Sequence, residues 1–336
     1  MKHTLFALCT LCLALCGSIP LKTAFVMTVK GPVPATELGT SLIHEHVLVD
    51  FIGADSTHEG RWDKAEVVKV VLPYLREVAK LGVTSVMECT PSYLGKDPVL
   101  LRILADSTGM HLLTNTGYYG AVGNKYLPAH AHTESAQQLA ARWIRDWNKG
   151  IGETGIRPGF MKISVESGPL SPLHTKLVEA AALTHLKTGL TIASHTGPQG
   201  PAFEQVAVLK RMGVAPEAFI WVHAQAESDI SWHLRAAKAG FWVSLDGVSD
   251  GNAGMYLAYL QNLKEHNLLH RVLISHDAGW YRPGEENGGY FRDYRAIHTK
   301  LLPLMRANGF TEQDIRQLLV TNPAEAFSVR VRKLRK

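Results

Sequence analysis

Cysteine is scarce: there are four in 336 residues, and Cys9, Cys12 and Cys16 crowd the beginning of the chain. Only Cys89 remains beyond them. The body therefore cannot hold an internal disulfide, and a disulfide-stapled scaffold is excluded. Cys89 lies in VTSVMECT, near the end of an apolar run, and reads as buried filler rather than as a nucleophile. The apolar run from Leu5 to Cys16 is too short for an ordinary membrane span. No basic stretch interleaved with aromatics occurs inside the chain, so nothing points to nucleic acid as a partner. No G-x-G-x-x-G follows an apolar run, which leaves an open dinucleotide-binding sheet without support. No short repeat, low-complexity tract or flexible linker divides the sequence.

What is present suits a substantial core. The chain is 46% hydrophobic and 19% charged, and its length fits one α/β barrel or two small domains. The net charge is +5, but Arg330, Arg332, Lys333, Arg335 and Lys336 close the chain, and without them the body is near neutral. This basic tail, residues 330–336, is expected to be a frayed, solvated end; the other reading is an anchor to an anionic surface. The opening MKHTLFALCTLCLALCGS combines a basic start, an apolar run and small residues. That is the pattern of a signal peptide over residues 1–18, extending at most to about residue 24, and it predicts export to the periplasm or the medium. LALC resembles a lipobox that would acylate Cys16, but Leu15 stands where a small residue is usual.

Eight short β-rich runs follow: SLIHEHVLV, VTSVMEC, HLLTNTG, GFMKIS, LTIASHT, FIWVHA, FWVSLDG and RVLISHD. Between them lie helical patterns such as AEVVKVVLPYLREVAKLG, TKLVEAAALTHLKTG and ESDISWHLRAAKAG, each ending at a glycine. The alternation predicts a closed (β/α)₈ TIM barrel over residues 25–329.

The polar residues fall at one end of these runs. His44 and His46 sit two apart on the first strand and face one side. Lys162, His195, His223 and Asp277 fall at the ends of the fourth, fifth, sixth and eighth runs. Barrel strands deliver such positions to a single C-terminal mouth. Four imidazoles and a carboxylate meeting there describe a site for metal ions such as zinc, iron or nickel. Lys162 fits such a site only if changed chemically. Carbon dioxide adds to a neutral amine to give a carbamate with a carboxylate head, and burial near cations favours the neutral amine. An unmodified lysine would instead reach out of the barrel or hold a substrate anion. Glu45 should point away from the centre and support it from behind. His276 should pack away from the mouth, and His298 should lie on the surface.

HEH, the FMKIS lysine, SHTG, VHA and SHDAGW occur in an order that resembles the phosphotriesterase family of the amidohydrolase superfamily, and the similarity runs from TVKGPVPATELGTSLIHEH to TNPAEAF. The resemblance implies two divalent metal ions, usually zinc, bridged by Lys162 after carbamylation by CO2. His44, His46 and Asp277 would hold the buried ion; His195 and His223 would hold the exposed one. A water shared by the two ions would attack an ester, and Asp277 would take up the proton. The resemblance also implies a small-molecule substrate and a homodimer.

The chain departs from the organophosphate-degrading members. By position, Ala226 and Gly247 stand where those enzymes carry an acid and a histidine for proton relay, although Asp246 is kept. Glu227 would have to turn inward to replace the acid. Tyr119 stands where lactonase-like relatives have a tyrosine, and Trp280 and Tyr281 open the eighth loop as an expected apolar wall for the substrate. Together these predict a lactonase or other carboxylic esterase with side activity on phosphotriesters. The alternatives are a true phosphotriesterase, an amidase for N-acylated small acids, and a non-catalytic metal-binding barrel.

Overall fold

The computed structural model describes residues 24–335. The signal-peptide and Cys16 readings lie outside the described residues. All eight expected strands form: β1 Ser41–Leu48, β2 Ser85–Glu88, β3 His111–Leu113 continuing as Asn115–Thr116, β4 Phe160–Ser164, β5 Ile192–His195, β6 Phe219–Val222, β7 Trp242–Leu245 and β8 Val272–Ile274. Their ladders are parallel and run in chain order. The ring closes where the Asp277 amide donates to the His44 carbonyl and the His46 amide donates to that of Ala278. Helices α1 Lys64–Lys80, α2 Pro98–Thr108, α3 Ala136–Lys149, α4 Pro172–Thr188, α5 Gln199–Arg211, α6 Ser231–Lys238 and α7 Ala253–Glu265 cover the outside. This is a TIM barrel.

The helix ends follow local chemistry. Asp63 caps α1 by accepting from the amides of Ala65 and Glu66. Ser135 and Gln138 form a reciprocal cap on α3. Gly189 ends α4 with a left-handed φ of 78° that a larger residue would adopt at a cost.

Two elements were not expected. A hairpin, Phe25–Thr28 paired with Gly31–Pro34, closes the end of the barrel where the strands begin. A short strand, Gly279–Tyr281, adds to β1 beyond Asp277.

The barrel interior is layered. At its floor Ile43, Phe160, Ala193, Ile220, Trp242, Leu273 and Phe327 form one apolar cluster, with Phe160 and Phe327 edge to face at 5.3 Å. The polar residues begin one layer higher. On β1 the change of layer depends on an irregularity. Leu42 packs outward and Ile43 inward, and the register with β2 shifts between Leu42 and Glu45. This bulge turns His44 inward directly after Ile43 and sends Glu45 outward.

The tail does not fray. Arg332 is buried, and its guanidinium donates to the carbonyls of Glu325, Ala326 and Ser328 and to the Thr191 hydroxyl. Lys333 bridges Val214, and the Leu334 amide donates to Gly213. A guanidinium with that many fixed acceptors is held more firmly than a solvated chain end.

Candidate metal centre

The structure brings the six predicted ligand positions together at the mouth. The imidazoles form a row: ring centroids are 5.3 Å apart from His46 to His44, 5.1 Å from His44 to His223, and 4.4 Å from His223 to His195. Asp277 Oδ1 lies 3.0 Å from His46 Nε2 and 3.6 Å from His44 Nε2. Lys162 Nζ lies 3.0 Å from His44 Nε2. Among the predicted ligands, His44, His46 and Asp277 come close enough to one another to hold a metal ion.

Outer partners aim the rings. Asp246 is fully buried and takes His44 Nδ1 at 3.0 Å on one oxygen and His223 Nδ1 at 2.7 Å on the other. Burial alone would raise its pKa, but the two imidazoles and their hydrogen bonds outweigh this and hold the carboxyl well below the usual range. His46 Nδ1 meets the Thr90 hydroxyl at 2.8 Å. That hydroxyl donates to the Leu48 carbonyl, so it must accept from His46. In all three rings Nδ1 is thus taken by an acceptor outside the centre, which leaves Nε2 facing the mouth. Asp246 also forms a metal-type group with His44 and His223. We read it as an orienting carboxylate, because it meets the nitrogens on the far side of both rings.

His44 is held neutral, with its pKa lowered to about 4 by burial first and by the Lys162 charge second. His195 is lowered by burial and by the His223 charge. Burial would lower His223 as well, but Asp246 overrides it and raises the group. Burial would raise Asp277, and the His44 and His46 imidazoles instead hold it below the ordinary carboxylate range. Imidazoles beside ionised carboxylates are the donor set that borderline divalent cations favour.

His223 and Asp277 adopt left-handed backbone, with φ of 62° and 51°. Non-glycine residues rarely do so, and the surroundings hold them there. Around Asp277 the holder is Glu45. Its carboxylate accepts from the Ser275 hydroxyl at 2.7 Å, His276 Nδ1 at 2.7 Å and the amides of His276 and Ala278. His276 Nε2 in turn accepts from the Ile297 amide. Glu45 thus ties β1 to the turn that carries Asp277, and His276 packs away from the mouth as expected.

Above the row opens a cavity of about 110 Å³, walled by Val49, Phe51, Pro91, Leu94, Tyr119 and Trp280. The Tyr119 hydroxyl lies 3.1 Å from His195 Nδ1, and burial keeps the phenol protonated. Trp280 stands in the wall, edge to face with Phe51 at 5.6 Å. Tyr281 does not. Being the next residue on a strand, it faces the other way, into the outer core against Gly288. His298 is half buried rather than on the surface, and burial lowers its pKa to about 4. Glu227 turns away from the cavity, accepting from the amides of Gln199 and Asp229.

Sequence reasoning missed Thr90, Phe51, Leu94 and the orienting role of Asp246. Asp246 was findable, because it ends the seventh run as the others end theirs. Phe51 and Leu94 lie on loops and carry no spacing signal.

The "Phosphotriesterase family" profile matches residues 24–327. Fold, site and profile agree, and the chain belongs to that family of hydrolases. The "Phosphotriesterase homology protein" of Escherichia coli (strain K12) is 29% identical over 295 residues, covering 86% of this chain and 98% of the relative. An "Aryldialkylphosphatase" of Saccharolobus solfataricus is 23% identical, covering 89% of this chain and 98% of the relative. An "N-acetyltaurine hydrolase" of Dictyostelium discoideum is 24% identical over 78% of this chain and 74% of its own length. A solved structure from the "Molecular Engineering of Organophosphate Hydrolysis Activity from a Weak Promiscuous Lactonase Template" superposes with a TM-score of 0.81 at 26% identity, covering 90% of this chain and all of its own.

Proposed function

We propose that this protein hydrolyses lactones or other carboxylic esters at a pair of divalent metal ions, with zinc the best match to the donor set. His44, His46 and Asp277 would hold one ion, His195 and His223 the other, and Lys162, carbamylated by CO2, would link them. When bound, the ions supply a water activated near neutral pH and polarise the ester oxygen. Asp277 is positioned to accept the proton released in the attack. Asp246 and Thr90 keep the imidazoles in the tautomer that ligation needs. Phe51, Leu94 and Trp280 hold the acyl chain and keep bulk water out.

The observation that carries the choice of substrate is the filled space at Gly247. A Cβ there would stand 2.7 Å from the Tyr256 hydroxyl and 3.0 Å from Gln225 Nε2. A relay histidine, as in the organophosphate-degrading enzymes, would have to displace both side chains at this position, and Glu227 is engaged elsewhere. An ester whose leaving group stays tethered, as in a lactone, needs that relay least. The neutral Tyr119 hydroxyl is placed to donate to a carbonyl oxygen instead. N-acylated acids fit less well, since Lys162 is the sole lysine or arginine in the cavity wall.

The test is turnover of an acyl lactone and an aryl phosphotriester by protein loaded with zinc and bicarbonate. The lactone should be preferred by a wide margin, and Tyr119→Phe should lower its kcat/KM about tenfold or more while bound zinc stays at two ions per chain. Phosphotriester preference, or a neutral Tyr119→Phe, would overturn the reading.

A further inference from the structure

We propose that the floor of the barrel is a docking face for an anionic lipid surface, with the C-terminal segment as its contact. The hydrolase chemistry at the mouth does not use this segment. Arg332 and the Lys333–Val214 and Leu334–Gly213 contacts fix it against the floor. Arg332 is spent inward, and its neighbours are presented outward. Arg330, Lys333 and Arg335 are exposed, and between them Val331 and Leu334 are each 42% exposed. Exposed aliphatic groups set among cations match a headgroup layer over acyl chains.

The same face gathers the ends of two helices. Lys187 closes α4, and Lys210 and Arg211 close α5; all three are exposed. Basic residues there are favoured by the helix dipoles as well. Glu325 pairs with Arg271 and Arg330, and Glu179 pairs with Arg211. Among the described residues, no carboxylate lies within ion-pair distance of Lys187, Lys210, Lys333 or Arg335. The loops at the opposite end carry Glu166, Glu227, Asp229, Asp250, Glu285 and Glu286, so the barrel axis is also an axis of charge.

The chain enters the fold beside this patch. The Val329 amide donates to the Phe25 carbonyl, which places residue 25 against the tail. An apolar N-terminal run held at a membrane would bring this face toward it. In that orientation the mouth opens away from the lipid, toward soluble substrate. No aromatic side chain interleaves with the tail cations, and so the patch lacks a stacking platform for nucleic acid.

The experiment is co-sedimentation of the purified full chain with vesicles of phosphatidylcholine, alone or with added phosphatidylglycerol. Any binding by the N-terminal run, with its basic start, is common to the parent and the variants below, so the difference between them reads the basic face. Binding should require phosphatidylglycerol and vanish in high salt. The K333E/R335E variant should weaken it roughly tenfold or more, with circular dichroism and lactone turnover unchanged. K69E/K300E, with the same change of net charge on other helices, should bind like the parent. Equal binding to both vesicles, no binding, or an equal loss in both variants would overturn the proposal. So would duplex DNA binding as tightly as the vesicles and displacing the chain from them.

Discussion

The two ends of the barrel solve opposite problems with the same eight strands. At the floor, Phe160, Trp242 and Phe327 fill the interior by apolar contact, with the Trp242 indole N–H donating to the Glu217 carbonyl at its edge. At the mouth, one layer up, Lys162, Asp246 and His44 are equally buried, and each leans on a specific neighbour. The floor draws on the non-directional cost of exposing apolar surface. The mouth depends on directional bonds that would cost free energy if left unmade. The difference teaches where stability and activity should separate.

The largest expected effect comes from breaking the floor. Phe327→Ala removes a fully buried ring from the plug and should cost about 3–5 kcal/mol. Measured by urea unfolding and zinc-loaded kinetics, stability should fall while kcat/KM of the remaining folded enzyme holds. A comparable loss in kcat/KM would show that the two ends are coupled.

Acid should then sharpen the contrast at the floor. His185 donates through Nδ1 to the Leu190 carbonyl and accepts through Nε2 from the Arg332 amide. It is therefore a neutral ring, and burial lowers its pKa to about 4. Its unfolded value is near 6.5, so its contribution is complete above that pH and is lost as the pH falls toward 4. The loss amounts to roughly 3 kcal/mol at most. A His185→Gln variant should show a shallower decline of urea stability between pH 7 and pH 4 than the parent. An identical decline would place the acid sensitivity elsewhere.

The smallest of the three effects lies at the mouth. Asp246→Asn keeps the shape and removes the charge that aims two rings. Metal affinity and kcat/KM should drop about 10–100-fold, with a smaller loss of urea stability than Phe327→Ala. A destabilised but fully active variant would reverse the assignment of the two ends.

The eight strands were legible because each is a short β-rich run bounded by turn residues, and the site was legible because its ligands terminate those runs. What stayed hidden depends on register and on loops. The bulge on β1 sets both Ile43 and His44 inward, which strict alternation forbids. The same alternation, applied correctly, removes Tyr281 from the pocket that Trp280 lines. The tail seemed destined for solvent on charge alone. Its carbonyl acceptors on residues 325–328 are the open carbonyls at the C-terminal end of the helix Asn322–Phe327, and charge alone does not show that the tail folds back onto them.

Gly247 also bears on the routes open to mutation. Gaining a side chain there collides at once with Tyr256 and with Gln225, and Gln225 itself donates to Asp246. A lineage seeking the relay histidine would pass through a damaged intermediate unless Tyr256 shrank beforehand. Laboratory evolution toward phosphotriesters should therefore fix a change at Tyr256 first and the histidine second, or find a different path for the proton altogether.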